Sequence, residues 1–225
     1  MENIKGIIFD MDGVLIDTEK ISFECWVKAF KKYGYNYNMD VHTSIIGRNN
    51  ESIRNVLGQT YGIEFPLDDI YECRTKYMNE YLELNGTPSK LGVHELLRFL
   101  KENEYKIALA TSTNRKRAIK RLESAGIENV FDGIICGDEV ENSKPNPEIF
   151  LKAAKKLGLR PEECMVVEDS PAGIEAGYNG GMTVIHVPDM IEPSEEMKMK
   201  SSYIFENLFM VKQYLEEYKQ NAYTV

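Results

Sequence analysis

Residues 5–19 read Lys5-Gly6-Ile7-Ile8-Phe9-Asp10-Met11-Asp12-Gly13-Val14-Leu15-Ile16-Asp17-Thr18-Glu19, and the fold is decided there. Ile7, Ile8 and Phe9 form a short apolar run rich in β-branched residues, the pattern of a buried strand, and the run stops at a carboxylate. Asp10 and Asp12 stand one residue apart, with Gly13 directly after them to let the chain turn. A buried strand ending in two acids predicts a site at the carboxyl edge of a parallel sheet, where strand ends gather in one crevice.

The same pattern recurs at residues 106–112 (KIALATS), 133–137 (GIICG), 165–169 (MVVED) and 182–187 (MTVIHV), and more weakly at 203–205. Helix patterns lie between these runs. Val93, Leu96, Leu97 and Leu100 keep helical spacing, as do Ala118, Ile119, Leu122 and Ala125, with Gly126 as a stop. Pro147 opens a third helix carrying Ile149, Phe150, Ala153, Ala154 and Leu157, and Gly158 closes it. Strand alternating with helix predicts an α/β fold, a doubly wound parallel sheet of the Rossmann-like kind.

The first strand breaks the rhythm, because about 90 residues pass before the next, and they read as helical. Ile21, Cys25, Trp26, Ala29, Phe30 and Tyr33 form one apolar stripe, and further helix patterns run over 52–57 and 68–84. The expectation is an all-helical cap domain, residues 17–87, inserted into a catalytic core of residues 1–16 and 88–225. Its edges are set at 12–18 and at the turn-forming Asn85-Gly86-Thr87-Pro88. Trp26 belongs to the core of that insertion, and 33–38 (YGYNYN) reads as a polar loop. His42, His94 and His186 stand alone and are not expected to be catalytic. The polar end after about Glu216 is expected to fray.

The 225 residues carry 27 basic and 36 acidic side chains, a net charge of −9, with 43% apolar residues, enough for a core without disulfide or structural metal. An acidic chain with no basic stripe is a poor partner for nucleic acid. The apolar runs are far shorter than the roughly 20 residues a bilayer requires, and the start carries no secretory signal, so the expected location is cytoplasmic and the default state a monomer. Cys25, Cys73, Cys136 and Cys164 form no C-x-x-C pair and are expected to be reduced, buried thiols. An anionic substrate must therefore meet a local positive site.

Asp10 and Asp12 together can hold a hard divalent cation while one oxygen remains a nucleophile. Thr111 and Ser112 end a strand at a turn where hydroxyls and backbone N–H groups can grip phosphate oxygens. Lys144, in the proline-stiffened Ser143-Lys144-Pro145-Asn146-Pro147, can neutralise a phosphoryl group. Glu168 and Asp169 follow an apolar run directly, a costly place for two charges unless a cation, such as a Mg²⁺ shared with Asp10, satisfies them.

In this order, Asp10-Met11-Asp12-Gly13-Val14-Leu15-Ile16-Asp17-Thr18-Glu19, Thr111, Lys144-Pro145 and Glu168-Asp169-Ser170 resemble the motifs of the haloacid dehalogenase-like phosphohydrolase superfamily. The branch is the one with β-phosphoglucomutase and small sugar-phosphate phosphatases, whose mobile helical cap the insertion matches in place and length. The resemblance implies that Asp10 attacks phosphorus to form an aspartyl-phosphate and that Asp12 protonates the leaving oxygen and later activates water. It implies that Thr111, Ser112 and Lys144 hold phosphoryl oxygens, and that Asp10, the Asp12 carbonyl, Asp169 and, directly or through water, Glu168 bind Mg²⁺. The expected activity is hydrolysis of a small phosphate ester, foremost a sugar phosphate. The alternative is a β-phosphoglucomutase-type phosphotransferase. Mutases of the family carry a cap histidine where this chain has Ser22 and a cap arginine where it has Asn50, although Arg48 is near. The dehalogenases lack the second Asp and need no magnesium. A receiver-type phospho-acceptor module is a further alternative, but it needs about half this length and no cap.

Overall fold

A computed structural model describes residues 4–62 and 64–222. Its strands are β1 (Gly6–Phe9), β2 (Lys106–Thr111), β3 (Gly133–Cys136), β4 (Cys164–Glu168), β5 (Thr183–His186) and β6 (Tyr203–Ile204). All pairs are parallel, in the order β3-β2-β1-β4-β5-β6, and Ile7 lies opposite both Ile107 and Met165. Several strands end a residue earlier than the apolar runs suggest, because Asp10, Ser112, Gly137 and Asp169 have already left the ladder and turned into the loops above it.

Side chains alternate across the sheet, so β1 feeds two cores. Ile7 and Phe9 join the cluster beneath α5 (Val93–Glu102), α6 (Arg115–Ala125) and α10 (Leu208–Ala222). Ile8 joins the one beneath α7 (Glu148–Leu157). Burial of both faces is why the strands read as unbroken apolar runs. At about 1.5–3 kcal/mol for each fully buried large apolar side chain, these two clusters are the main source of stability.

Three helices of this layer escaped the periodicity argument: α8 (Pro171–Asn179), α9 (Glu195–Lys200) and α10. α8 is rich in Gly and Ala and has no apolar stripe; its signal is the start, where the Ser170 hydroxyl accepts from Gly173 N at 3.1 Å and proline occupies the first turn. α10 continues through the segment expected to fray, tied down by Leu208, Val211 and Leu215 in the core. That expectation also covered residues 223–225, which lie outside the described residues.

Between β1 and α5 the chain forms α1 (Glu19–Lys32), α2 (Met39–Ile45), α3 (Asn50–Tyr61) and α4 (Leu67–Asn85). They pack around an aromatic cluster of their own that includes Trp26, Phe30, Tyr37, Phe65 and Tyr71. The segment read as a polar loop contributes to it: Tyr37 is buried 4.7 Å from the Phe30 ring, and Tyr35 meets Phe65 at 4.8 Å. Tyrosine hides a large apolar ring behind one polar atom, so polarity counted by residue understates its burial. The unforeseen α2 has only seven residues, too few to show a period, and is capped by Asn38, whose side chain accepts from Val41 N at 3.0 Å. Among the described residues no helix is long and apolar enough to cross a membrane, and all four cysteines are buried and unpaired.

Candidate active site

In this strand order the chain switches sides between β1 and β4, and the crevice above such a point is where open parallel sheets bind ligands. Asp10 follows β1, Glu168 is the last residue of β4 and Asp169 comes next. Their carboxylates are buried and each offers an oxygen within 4.8 Å of the others. Lys144 arrives from the loop after β3, fully buried, and donates to Asp10 Oδ1 at 2.5 Å and to Glu168 Oε1 at 2.6 Å. The second Glu168 oxygen accepts from Asp169 N, Ser170 N and the Ser170 hydroxyl at 2.8, 2.8 and 2.9 Å, which fixes that carboxylate.

Three carboxylates against one ammonium is a strained electrostatic arrangement. Burial, the largest influence, drives the Asp10 carboxyl up; Lys144 opposes it, Glu168 adds to it, and the result is about 8. Asp169 is likewise held well above the carboxylate range by burial, then by Glu168 and Asp10. Burial alone would favour a neutral Lys144, but its two carboxylate partners outweigh this and raise it. Full ionisation of the three would leave two negative charges in excess on hard oxygen donors out of water, a set that fits a divalent cation such as Mg²⁺. Gly13 keeps the place open. Its φ is +85°, and a Cβ there would overlap the Asp169 carboxylate.

Asp12 belongs to a second network. Its Oδ1 accepts from the Thr18 hydroxyl at 2.5 Å and Arg121 Nη1 at 2.6 Å, and its Oδ2 from the Thr113 hydroxyl at 2.9 Å. Sequence reasoning missed these three partners. Arg121 did carry a signal: it falls at i+3 from Ala118 on the stripe shared with Leu122 and Ala125, where a surface arginine does not belong. Thr111 is buried and its hydroxyl accepts from Thr113 N at 3.1 Å, while the Ser112 hydroxyl donates to the Gly47 carbonyl of the helical insertion at 2.7 Å.

Asp10, Asp12, Thr111, Ser112 and Asp169 therefore open into one cleft, with Lys144 and Glu168 directly behind Asp10. The insertion forms the opposite wall with Glu19, Ser22, His42, Arg48, Asn50 and Arg74. His42, isolated in sequence, is thus a cleft residue.

The profile of the haloacid dehalogenase-like hydrolase family matches residues 7–187. The chain is 36% identical over 187 residues to the phosphorylated carbohydrates phosphatase of Thermotoga maritima, covering 81% of this chain and 84% of that protein. It is 27% identical over 188 residues to the fructose-1-phosphate phosphatase of Escherichia coli, covering 83% and 97%. The solved structure of β-phosphoglucomutase from Clostridium difficile superposes with a TM-score of 0.80 at 29% identity, over 98% of this chain and 97% of that one. Fold, strand-end chemistry and sequence converge on one assignment: the chain belongs to the haloacid dehalogenase-like hydrolase family and is an enzyme of its phosphatase kind.

Proposed function

We propose that the protein hydrolyses a small phosphorylated metabolite, foremost a sugar phosphate, with Mg²⁺ bound by Asp10, Asp169, the Asp12 carbonyl and Glu168. The observation that carries this reading is the buried cluster of Asp10, Glu168 and Asp169 on Lys144 at the switch point of the sheet. The sugar-phosphate leaving group is supported by the names of the Thermotoga maritima and Escherichia coli relatives. A cytoplasmic monomer is part of the proposal; the unpaired buried cysteines favour a reducing compartment.

Bound Mg²⁺ supplies charge neutralisation for the phosphoryl oxygens. The rest falls to the chain. An Asp10 oxygen attacks phosphorus, the P–O bond to the leaving alcohol breaks, and Asp12 delivers a proton to the departing oxygen. A water then attacks the aspartyl-phosphate, passing its proton to Asp12 as the Asp10–P bond breaks. Thr111, Ser112 and Lys144 hold the equatorial oxygens where charge develops, the principal demand of phosphoryl transfer. Asp12 must first turn away from Thr18, Thr113 and Arg121, and we assign that motion to closure of the cap, residues 17–87, over the core.

The test is phosphate release from a panel of sugar phosphates, nucleotides and p-nitrophenyl phosphate, with Mg²⁺ or EDTA, for the wild type and Asp10→Asn. Metal-dependent release abolished by Asp10→Asn is expected; release that survives the substitution refutes the nucleophile. A mutase is the second reading, favoured by the Clostridium difficile relative. Phosphoryl transfer between hexose phosphates that matches hydrolysis, with a sugar bisphosphate present, would establish it instead.

A further inference from the structure

The cap wall of the cleft holds two polar groups whose hydrogen-bonding capacity the protein leaves unmet. His42 is 1% exposed, and its Nδ1 lies 2.8 Å from the Tyr37 hydroxyl. A buried phenol must donate somewhere, and this ring nitrogen is the partner it has, so Nδ1 is the acceptor and the ring proton of neutral His42 sits on Nε2. Nε2 has no hydrogen-bond partner, and the nearest charged group, Glu19 Oε2, stands off at 3.6 Å. Arg74 rises from α4 over the face of Trp26, 5.3 Å from the ring centre, and donates to the Ser22 hydroxyl. Its Nε is buried without a partner, and no described carboxylate lies within ion-pair distance of it.

A donor on Nε2 and an acceptor on Glu19, 3.6 Å apart, match one alcohol group: a hydroxyl oxygen about 2.8 Å from each accepts from the first and donates to the second. Arg74 adds a donor to the same wall. Arg121 is taken by Asp12 at 2.6 Å, whereas Arg48, held by the Ser44 carbonyl and the Ser52 hydroxyl at 2.9 and 3.2 Å, and Arg117 bring charge to the cleft at other points of its lining. Beside the Glu19 carboxylate the occupant must donate as well as accept, which a sugar hydroxyl does and a fully ionised second anion does not.

We infer that Glu19, His42 and Arg74 form the subsite that reads the hydroxyls of an uncharged sugar leaving group and so determine substrate choice. This rests on the phosphatase reading above and names the part of the substrate that reading leaves open. Both orphaned atoms are closed to water in this arrangement, so the sugar meets them as the cap adjusts around it.

The test compares kcat/KM for hexose 6-phosphates, the corresponding 6-phosphogluconate and p-nitrophenyl phosphate, in the wild type, Glu19→Gln and Arg74→Lys. Both substitutions keep the side chain's size. p-Nitrophenyl phosphate has no hydroxyl to read and reports a folded, competent core. The expected result is that the hexose phosphate to p-nitrophenyl phosphate ratio of kcat/KM falls roughly 10- to 100-fold in each variant, the loss typical of one hydrogen bond to a charged group. A ratio that stays within about twofold of wild type overturns the inference. So does a wild-type preference of more than about tenfold for 6-phosphogluconate, which would make the wall an anion site. No turnover of any ester, p-nitrophenyl phosphate included, refutes the phosphatase reading itself and this inference with it.

Discussion

With no cation bound, the site should weaken the protein as pH rises, and the size of that loss follows from the carboxylate cluster. Burial and Glu168 hold the folded Asp10 carboxyl near 8 despite Lys144, against 3.8 for an ordinary aspartate. A carboxyl raised on folding binds more protons in the native state than in the unfolded one, so stability is lost as pH climbs from the unfolded value toward the folded one. Between pH 6.5 and 8.0 the unfolded carboxyl is fully ionised while the folded one is still giving up its proton. At about 1.4 kcal/mol per pH unit, tapering near 8, Asp10 alone removes on the order of 2 kcal/mol, and Asp169, shifted the same way, adds to it. The window starts at 6.5 because buried His186, lowered chiefly by desolvation, works with the opposite sign mainly below its ordinary 6.5 and fades above it. Urea unfolding in EDTA, followed by circular dichroism at several pH values, measures the slope. Saturating Mg²⁺ should abolish it, and Asp10→Asn should flatten most of it. Metal-free stability that is level or rising from pH 6.5 to 8.0, or a slope that Asp10→Asn leaves intact, refutes the electrostatic account of the cluster.

Further expectations concern the surroundings of that cluster. Gly173→Ala places a methyl on the Glu168 carboxylate and should cost about 1–3 kcal/mol while weakening Mg²⁺ binding, both measurable by unfolding and titration calorimetry. A double-mutant cycle of Arg121→Met with Asp12→Asn should return a coupling of about 1–3 kcal/mol, since the pair is 2.6 Å apart and largely buried; additive effects would show that the contact carries no energy. Trp26→Ala should cost about 3–5 kcal/mol, and because Trp26 packs only in the insertion's own cluster, a separate low-temperature transition in calorimetry is expected before the core melts.

What the sequence reveals follows from how each part is stabilised. Strands buried on both faces leave continuous apolar runs, so five of the six strands stand out, and their parallel pairing follows from the intervening helices. Asp10, Thr111, Glu168 and Asp169 are legible because chain order dictates their place: each sits where an apolar run stops. The cap wall is not legible in this way. Glu19, His42 and Arg74 come from three different helices, and what distinguishes them is the company they keep across the cleft, which no local spacing encodes. Arg121 lies between these cases, hidden in a basic run but marked by its position on the apolar stripe. Helices also fail to announce themselves where packing replaces periodicity, as in Gly- and Ala-rich α8, whose narrow side chains let the backbone press against β4 and β5.

The two positions that separate the expected hydrolase from a mutase are both engaged within the cap. Ser22, where a mutase has histidine, is buried and its hydroxyl accepts from Arg74. Asn50, where a mutase has arginine, accepts from the Tyr71 hydroxyl. A mutase must retain a doubly phosphorylated sugar long enough for it to turn round and return its phosphoryl group, which calls for a cation at the far end. Asn50 has no charge to offer a second phosphate. Arg48, the nearby substitute, donates to Ser44 and Ser52 on its own side of the cleft. In the proposed hydrolase neither Ser22 nor Asn50 supplies what a mutase has at its place, so the acceptor for a phosphoryl group carried by Asp10 would be water, which needs no additional grip.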